Sequence, residues 1–221
     1  MITKKFIIDN FKTLFYALII AIFIRSIFIQ PFYIPSSSME PTLLIGDRLF
    51  VSKYSYGYSR HSLPFSPNIY SKRILDKTPK RGDVIVFKTP ADNRTDYIKR
   101  LIGLPGDEVQ IINKDLYLND IKIKKEKVET SLNINCGNKI LHVDVYEETL
   151  PNGRKYLTVY RKDGTMKNSD KFIVPINHYF FLGDNRDCSK DSRFLGSVGY
   201  VNFNNLVGKA RLIFFSNDNR K

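Results

Sequence analysis

One apolar run near the N-terminus governs how the rest of this chain can be placed. Leu14 to Ile24 is unbroken apolar sequence, Arg25-Ser26 interrupts it, and Ile27-Phe28-Ile29 completes it. Such a run can be a cleaved leader, a buried core helix or a membrane anchor. A cleaved leader needs a small-x-small site soon after the apolar stretch. Arg25 to Pro31 holds no such site, and the small pair Ser36 and Ser38 lies too far downstream. A helix from Phe11 to Ile29 would span roughly 28 Å, close to the hydrocarbon thickness of a bilayer. Lys12 and Arg25 stand where long basic side chains can reach the two interfaces. Residues 13–30 are therefore expected to be an uncleaved transmembrane anchor. Residues 1–12 carry Lys4, Lys5 and Lys12 against Asp9. The positive-inside rule keeps them in the cytoplasm and puts everything after about residue 30 outside it.

Behind that anchor the 221-residue chain has room for one good-sized domain, and 43% hydrophobic with 13% aromatic content suits a packed core. The formal charge of +13 would fit nucleic acid, an anionic lipid surface or plain solubility. Lys and Arg are spread along the whole chain, with no basic block, zinc-finger spacing or RNP-like aromatic motif, so no nucleic-acid partner is expected. Neither CxxC nor HExxH occurs, and no metal or other cofactor is expected. Two cysteines, Cys136 and Cys188, allow one bridge, but nothing in the sequence brings them together.

From Gly46 onward the pattern is β. Asp83 to Phe87 comes after the Arg81-Gly82 turn signal, and Tyr97 to Ile102 alternates until the Gly103-Leu104-Pro105-Gly106 cluster stops it. Val109–Ile112 and Leu116–Leu118 read as strands, with Asn119-Asp120 turning into Ile121–Ile123. His142–Glu147 and Lys155–Tyr160 flank a hairpin at Pro151-Asn152-Gly153. Tyr179–Leu182 and Leu206–Phe215 are the last two apolar strands. Residues 52–80, with Tyr54, Tyr56, Tyr58, Phe65 and Tyr70, read either as an exposed loop or as a membrane-interface contact. Residues 124–172 are polar and weakly patterned, as an inserted subdomain would be, and 216–221 reads as a solvated tail.

Three stretches carry chemistry. Ile34-Pro35-Ser36-Ser37-Ser38-Met39-Glu40-Pro41 sets three hydroxyls between two prolines, which stiffen the segment and can aim one of them. Ser38 is the candidate nucleophile. None of His61, His142 and His178 has a triad-like context, and neither GxSxG nor SxxK occurs. A lysine base must be neutral, which requires burial or a neighbouring positive charge. Lys99 shares a strand face with Tyr97 and Leu101, so it is either a desolvated base or a lysine snorkelling at a strand edge. The dense polar loop from Gly183 to Arg193 lacks EF-hand spacing and reads as a hydrogen-bonded network.

Taken together, Ser36–Leu43, Gly46-Asp47, Arg81–Val84, Tyr97–Arg100 with Gly103–Asp107, and Gly183–Arg193 resemble the successive sequence boxes of bacterial type I signal peptidase, in that family's order. The resemblance implies a serine endopeptidase with a Ser–Lys dyad, Ser38 the nucleophile and Lys99 the general base. It makes Ser36 an oxyanion donor beside the Ser38 N–H, has Ser189 orient the Lys99 ammonium, and pairs Asp191 with Arg193 behind the site. Arg100 becomes an additional structural ion-pair residue, and Gly183 allows the chain to approach the site closely.

The expected architecture is mainly β: an antiparallel catalytic domain over 31–215, with an inserted β-rich subdomain at 124–172, on a single N-terminal transmembrane helix. The implied substrates are exported preproteins, bound extended, with small −1 and −3 side chains. The implied setting is the bacterial cytoplasmic membrane, with phospholipids around the anchor, the catalytic domain outside and a monomeric chain. The chain departs from the family pattern in having one spanning segment where some members have two. It also has Cys188 where a small polar residue is common, and Gly199 where proline is usual, which leaves that turn open. The competing readings are a dead or differently specialised Ser–Lys relative, and a basic anchored β-domain that binds anionic lipid or a partner without catalysis.

Overall fold

The computed structural model describes residues 4–68, 72–137, 139–164 and 166–216. Helix α1 (Lys4–Ile27) exposes Phe11, Leu14, Tyr16, Leu18, Ile20 and Phe23 around its circumference. Its apolar window has a mean hydropathy of 1.9, and none of it is covered by the domain. A helix apolar on every side with no protein against it has the character of a membrane span. The helix begins earlier than residue 13, running through the basic segment, and ends three residues before the expected limit. It stops because β1 (Ile29–Tyr33) begins at once, with Pro31 inside it, a residue that cannot continue a helix.

Strand β1 pairs antiparallel with β2 (Arg48–Ser52), opening a seven-stranded sheet. It continues through β14 (Leu206–Phe215), β3 (Val84–Lys88), β4 (Asp96–Gly103), β12 (His178–Leu182) and β13 (Val201–Asn202). A four-stranded sheet comes after β4 in the chain: β5 (Glu108–Ile112), β6 (Asp115–Leu118) and β7 (Ile121–Lys122), with β11 (Phe172–Ile173) returning to β5. Most of the polar 124–172 segment folds as its own three-stranded sheet, β8 (Lys124–Cys136), β9 (Lys139–Thr149) and β10 (Lys155–Arg161). Mainly antiparallel β on an N-terminal apolar helix is the observed architecture. Alternation aims one face of β3 and β4 at Phe181 and Val201, where Ile85, Phe87 and Leu101 are buried, and the other at Ile34, Met39 and Leu49.

The 52–80 segment is more than an exposed loop. Tyr56, Ser59, His61 and Ser62 are buried, and the Tyr56 hydroxyl donates to Asp83 at 2.9 Å. Arg73 clamps the segment to the domain by donating to the carbonyls of Gly57 at 2.8 Å and Phe203 at 2.9 Å. Tyr70 lies outside the described residues. Of the expected tail, Ser216 is tied down, its hydroxyl donating to Asp47 at 2.6 Å, while 217–221 lie outside the described residues.

A buried ion pair joins the three-stranded sheet to the 183–193 loop. Arg186 and Glu148 are both about fully enclosed, 1% and 0% exposed, and the Arg186 guanidinium donates to Glu148 at 2.7 and 3.0 Å. The Tyr156 and Tyr160 hydroxyls donate to the same carboxylate at 2.6 and 2.9 Å. Burial pushes the Glu148 carboxyl up, yet Arg186 and the two hydroxyls hold it below the usual carboxylate range. Around it, Val159 N–H donates to the Asp184 carbonyl and Arg186 N–H to the Val159 carbonyl. Removing one partner leaves a buried charge uncompensated, which costs about 3–5 kcal/mol. Arg186→Ala should lower the unfolding free energy of the full chain in detergent by that order. Arg161→Ala, which breaks an ion pair with the exposed Asp163, should cost far less. Equal losses in denaturant titrations would refute the assignment.

Candidate active site

The segment between Pro35 and Pro41 forms a single 3-10 turn over Ser37–Met39, entered through an extended Ser36. Ser37, Ser38 and Met39 are buried, with Met39 anchored in the core beside Ile34 and Leu43. The 183–193 loop holds this turn from the other side. Asn185 Nδ2 donates to the Ser37 carbonyl at 3.1 Å and its N–H to the Ser38 carbonyl at 3.2 Å.

Lys99 arrives from the middle of β4, opposite Ile85 on β3. The reading that strand alternation places it on an apolar face holds: it is 3% exposed, with Nζ 5.3 Å from the Tyr97 ring centroid. Nζ donates to Ser38 Oγ at 2.6 Å and to the Ile98 carbonyl at 2.8 Å. Desolvation lowers its pKa from 10.5 to about 8, against the opposing pull of Asp191 and Asp184. These acids are largely neutralised by their own arginines, which leaves burial in command. Arg193 grips Asp191 through Nε at 2.7 Å and Nη2 at 2.8 Å. Burial pushes the Asp191 carboxyl up, but Arg193 and the Gly183 N–H at 3.0 Å bring it below the usual range. Arg100 forks onto Asp184 at 2.8 and 2.6 Å, and Thr42 Oγ1 donates to the same carboxylate at 2.5 Å.

The other residues expected at the site take different positions. Ser36 is exposed, with Oγ 3.3 Å from Ser38 Oγ, on the open side of the site. Ser189 is buried against Gly183, but its hydroxyl forms no full hydrogen bond. Lys99 reaches Ser38 and Ile98, and Ser189 adds only the weakest influence on Asp191. Gly183 has no room for a side chain, since a Cβ there would collide with Ser189 Oγ and lie 2.5 Å from the Ser38 carbonyl oxygen. Gly199, in place of the usual proline, has φ of +55° and donates its N–H to the Phe194 carbonyl, neither of which proline can do.

The histidines are elsewhere. His61 bonds to Ser66 Oγ at 3.0 Å, and burial holds its pKa down to about 4. His178 Nδ1 lies 2.9 Å from the Ile176 carbonyl, and His142 is exposed on β9. No His, Cys, Asp and Glu group suited to a metal occurs among the described residues.

Sequence reasoning left one support open and missed another. Cys136 and Cys188 are bridged, Cα atoms 5.9 Å apart, tying the end of β8 to the 183–193 loop. Glu148, Tyr156, Tyr160 and Arg186 form the buried network beneath that loop. Both are contacts between distant segments; the cysteine count allowed the bridge, and Arg186 inside the polar loop was the local hint of the network.

A serine hydroxyl beside a desolvated amine, with a second hydroxyl next to it, is equipped for covalent acyl transfer. The family model described as signal peptidase, peptidase S26, matches residues 7–215. Signal peptidase I of Rickettsia bellii (strain OSU 85-389) is 44% identical over 94% of this chain and 73% of the relative. Signal peptidase I of Rickettsia canadensis (strain McKiel) is 43% identical over 97% and 82%. A solved signal peptidase I from Enterococcus faecalis V583 is 28% identical, covering 60% of this chain and 97% of that one, with a TM-score of 0.36.

The buried amine has a thermodynamic signature. Because folding lowers the Lys99 pKa from 10.5 to about 8, the unfolded chain binds more protons between those pH values, and stability rises with pH across that window. Relative to wild type, Lys99→Met should therefore gain about 3 kcal/mol below the window, a gain that disappears as pH rises through it. A pH-independent difference in unfolding free energy would mean that the amine is not desolvated. Gly183→Ala should displace Ser189 and the Ser38 carbonyl, with a crystal structure or amide exchange at Ser38–Met39 reporting the shift.

Proposed function

The chain belongs to peptidase S26, the signal peptidase family, and we propose that it removes signal peptides from exported preproteins with Ser38 as nucleophile and Lys99 as general base. The 2.6 Å contact between Lys99 Nζ and Ser38 Oγ carries this reading. With the amine neutral, the hydrogen bond reverses and the Ser38 hydroxyl donates to it. Ser38 Oγ then attacks the scissile carbonyl, Lys99 takes its proton and returns it to the departing amine, and an acyl-enzyme remains. Water, deprotonated by the same lysine, resolves the ester. The oxyanion is met by the Ser38 N–H and the Ser36 hydroxyl, one such donor being worth about 10²–10³ in rate.

Strand pairing supports extended binding of the substrate. Along β4, Asp96 to Lys99 pair with β3 on one side, while β12 takes up pairing only from Arg100. The free edge beside Lys99 can accept a substrate strand by β-augmentation. Asp191, Arg193, Arg100 and Gly183 act as positioning residues, holding the loop that seats Ser38, with Ser189 packed against Gly183. The exposed apolar surface of α1 supports residues 13–30 as the anchor, leaving the domain at 31–215 at the membrane surface where a signal peptide emerges. The basic N-terminal segment favours a cytoplasmic N-terminus, a site outside the bacterial cytoplasmic membrane and contact with phospholipids; the chain is proposed to act as a monomer.

Ser38→Ala and Lys99→Ala should each reduce cleavage of a preprotein in detergent by at least about 10⁴-fold while the chain stays folded. Mass spectrometry of the mature product's new N-terminus would fix the bond cut, and full activity in either variant would sink the dyad. Turnover should rise with pH through about 8 as Lys99 loses its proton. A limb near 6.5 would implicate histidine instead.

A further inference from the structure

A second concavity lies where α1 leaves the domain, and neither Ser38 nor Lys99 lines it. Its volume is about 590 Å³, within the range of small-ligand sites. Arg25 enters from the last turn of α1, Arg60 to Ser66 from the folded 52–80 segment, and Arg94 from the β3–β4 turn.

Most acidic groups at its wall are already engaged. Asp96 pairs with Lys88 at 2.9 Å. Asp92 accepts from the N–H groups of Arg94 at 2.8 Å and Thr95 at 3.0 Å, and from the Thr95 hydroxyl. Among the described residues Arg60 meets neutral acceptors, Asn68 Oδ1 at 3.2 Å and His61 Nε2 at 3.3 Å. The guanidiniums of Arg25, Arg60 and Arg94 thus have no carboxylate within ion-pair distance among the described residues. Beneath them Lys53, 1% exposed, donates to the carbonyls of His61 and Ser62 at 3.3 and 3.4 Å. Burial first and Arg25 second hold its pKa down to about 8, against the smaller opposing pull of Asp96, itself paired with Lys88. Guanidinium forks match phosphate geometry, and the Ser62 and Ser66 hydroxyls add neutral donors on the same wall.

The depth of the cleft selects the source of that phosphate. Arg25 sits in the final turn of the apolar helix, so the cleft opens at headgroup level once the helix spans a bilayer. On its rim Phe65 is fully exposed, at φ of +62° on the Leu63–Ser66 tip. An aromatic ring in water has nothing to gain there, whereas at an interface it partitions among acyl chains. We propose that this cleft binds the phosphodiester headgroup of an anionic glycerophospholipid, with Arg25, Arg60 and Arg94 on the phosphate and Phe65 against the acyl region. The proposal rests on reading α1 as the anchor, and it gives the domain a second point of attachment that sets its tilt on the membrane.

The test uses the full chain in vesicles of phosphatidylcholine with and without phosphatidylglycerol, extracted for native mass spectrometry. Wild type should retain phosphatidylglycerol in preference to phosphatidylcholine. The Arg60→Gln/Arg94→Gln double variant should lose that preference by about tenfold or more, while cleaving preprotein in detergent as wild type does. Equal retention of both lipids by wild type overturns the proposal whether or not the variant folds, and undiminished preference in a folded variant does the same. Inorganic phosphate competing as well as the lipid would make it a soluble-anion site and overturn the lipid assignment. Flotation separates the two readings. A wild-type chain that fails to float with vesicles refutes the anchor, whereas one that floats without headgroup preference refutes only the cleft.

Discussion

The half of the domain around Ser38 keeps one lysine amine out of water beside a serine hydroxyl. An exposed lysine is protonated at neutral pH, so a neutral amine needs a fold that imposes the desolvation. It does so by threading Lys99 into the middle of a sheet, where β3 covers one side and the Ser-rich turn closes over the end. The nearest acids would reverse the effect by stabilising the ammonium. Arg193 and Arg100 hold Asp191 and Asp184 in pairs of their own, which blunts their pull on Lys99.

The same two acids are part of how the turn is held. Asp184, forked by Arg100 and bonded to Thr42, lies next to Asn185, which takes the Ser37 and Ser38 carbonyls. Asp191 receives the Gly183 N–H, at the point where Gly183 passes too close to Ser38 and Ser189 for any side chain. Beneath this loop lies the Glu148–Arg186 pair with its two tyrosines, and across it runs the Cys136–Cys188 bridge. The three-stranded sheet β8–β10 thus acts as a buttress. Its strand β10 and the end of β8 grip the loop that holds Ser38.

Much of this was legible in local sequence because it is a matter of period and punctuation. The apolar run, the alternation about Lys99 and the proline-bracketed serines each signal their structure over a few residues. Patterning could not tell a desolvated Lys99 from a snorkelling one, since alternation says which face a side chain takes but not what lies on that face. The order of sequence boxes supplied Ser38, Lys99, Ser36, Asp191 and Arg193. It also led to the expectation that Ser189 orients the amine, whereas in the structure Lys99 bonds to its own strand's Ile98 carbonyl. Residues 52–80 were misjudged in part, because a Tyr- and Ser-rich segment without periodicity can still be buried when a distant arginine, here Arg73, satisfies its carbonyls.

The sequence by itself determined that one apolar helix precedes a β-rich domain, and that a serine and a lysine 61 positions apart were the residues to watch. Side-chain periodicity and backbone restriction decide these things, and both act locally. Only the tertiary structure decided that the amine is buried against the hydroxyl, that two cysteines meet, and that Arg186 is enclosed with Glu148. It alone gathered three arginines from three segments around one cleft. Burial and pairing are properties of what packs against a residue, and that is set by distant parts of the chain. The stiff turn after the helix is bracketed by its prolines, but only β4 brings a dry lysine to it.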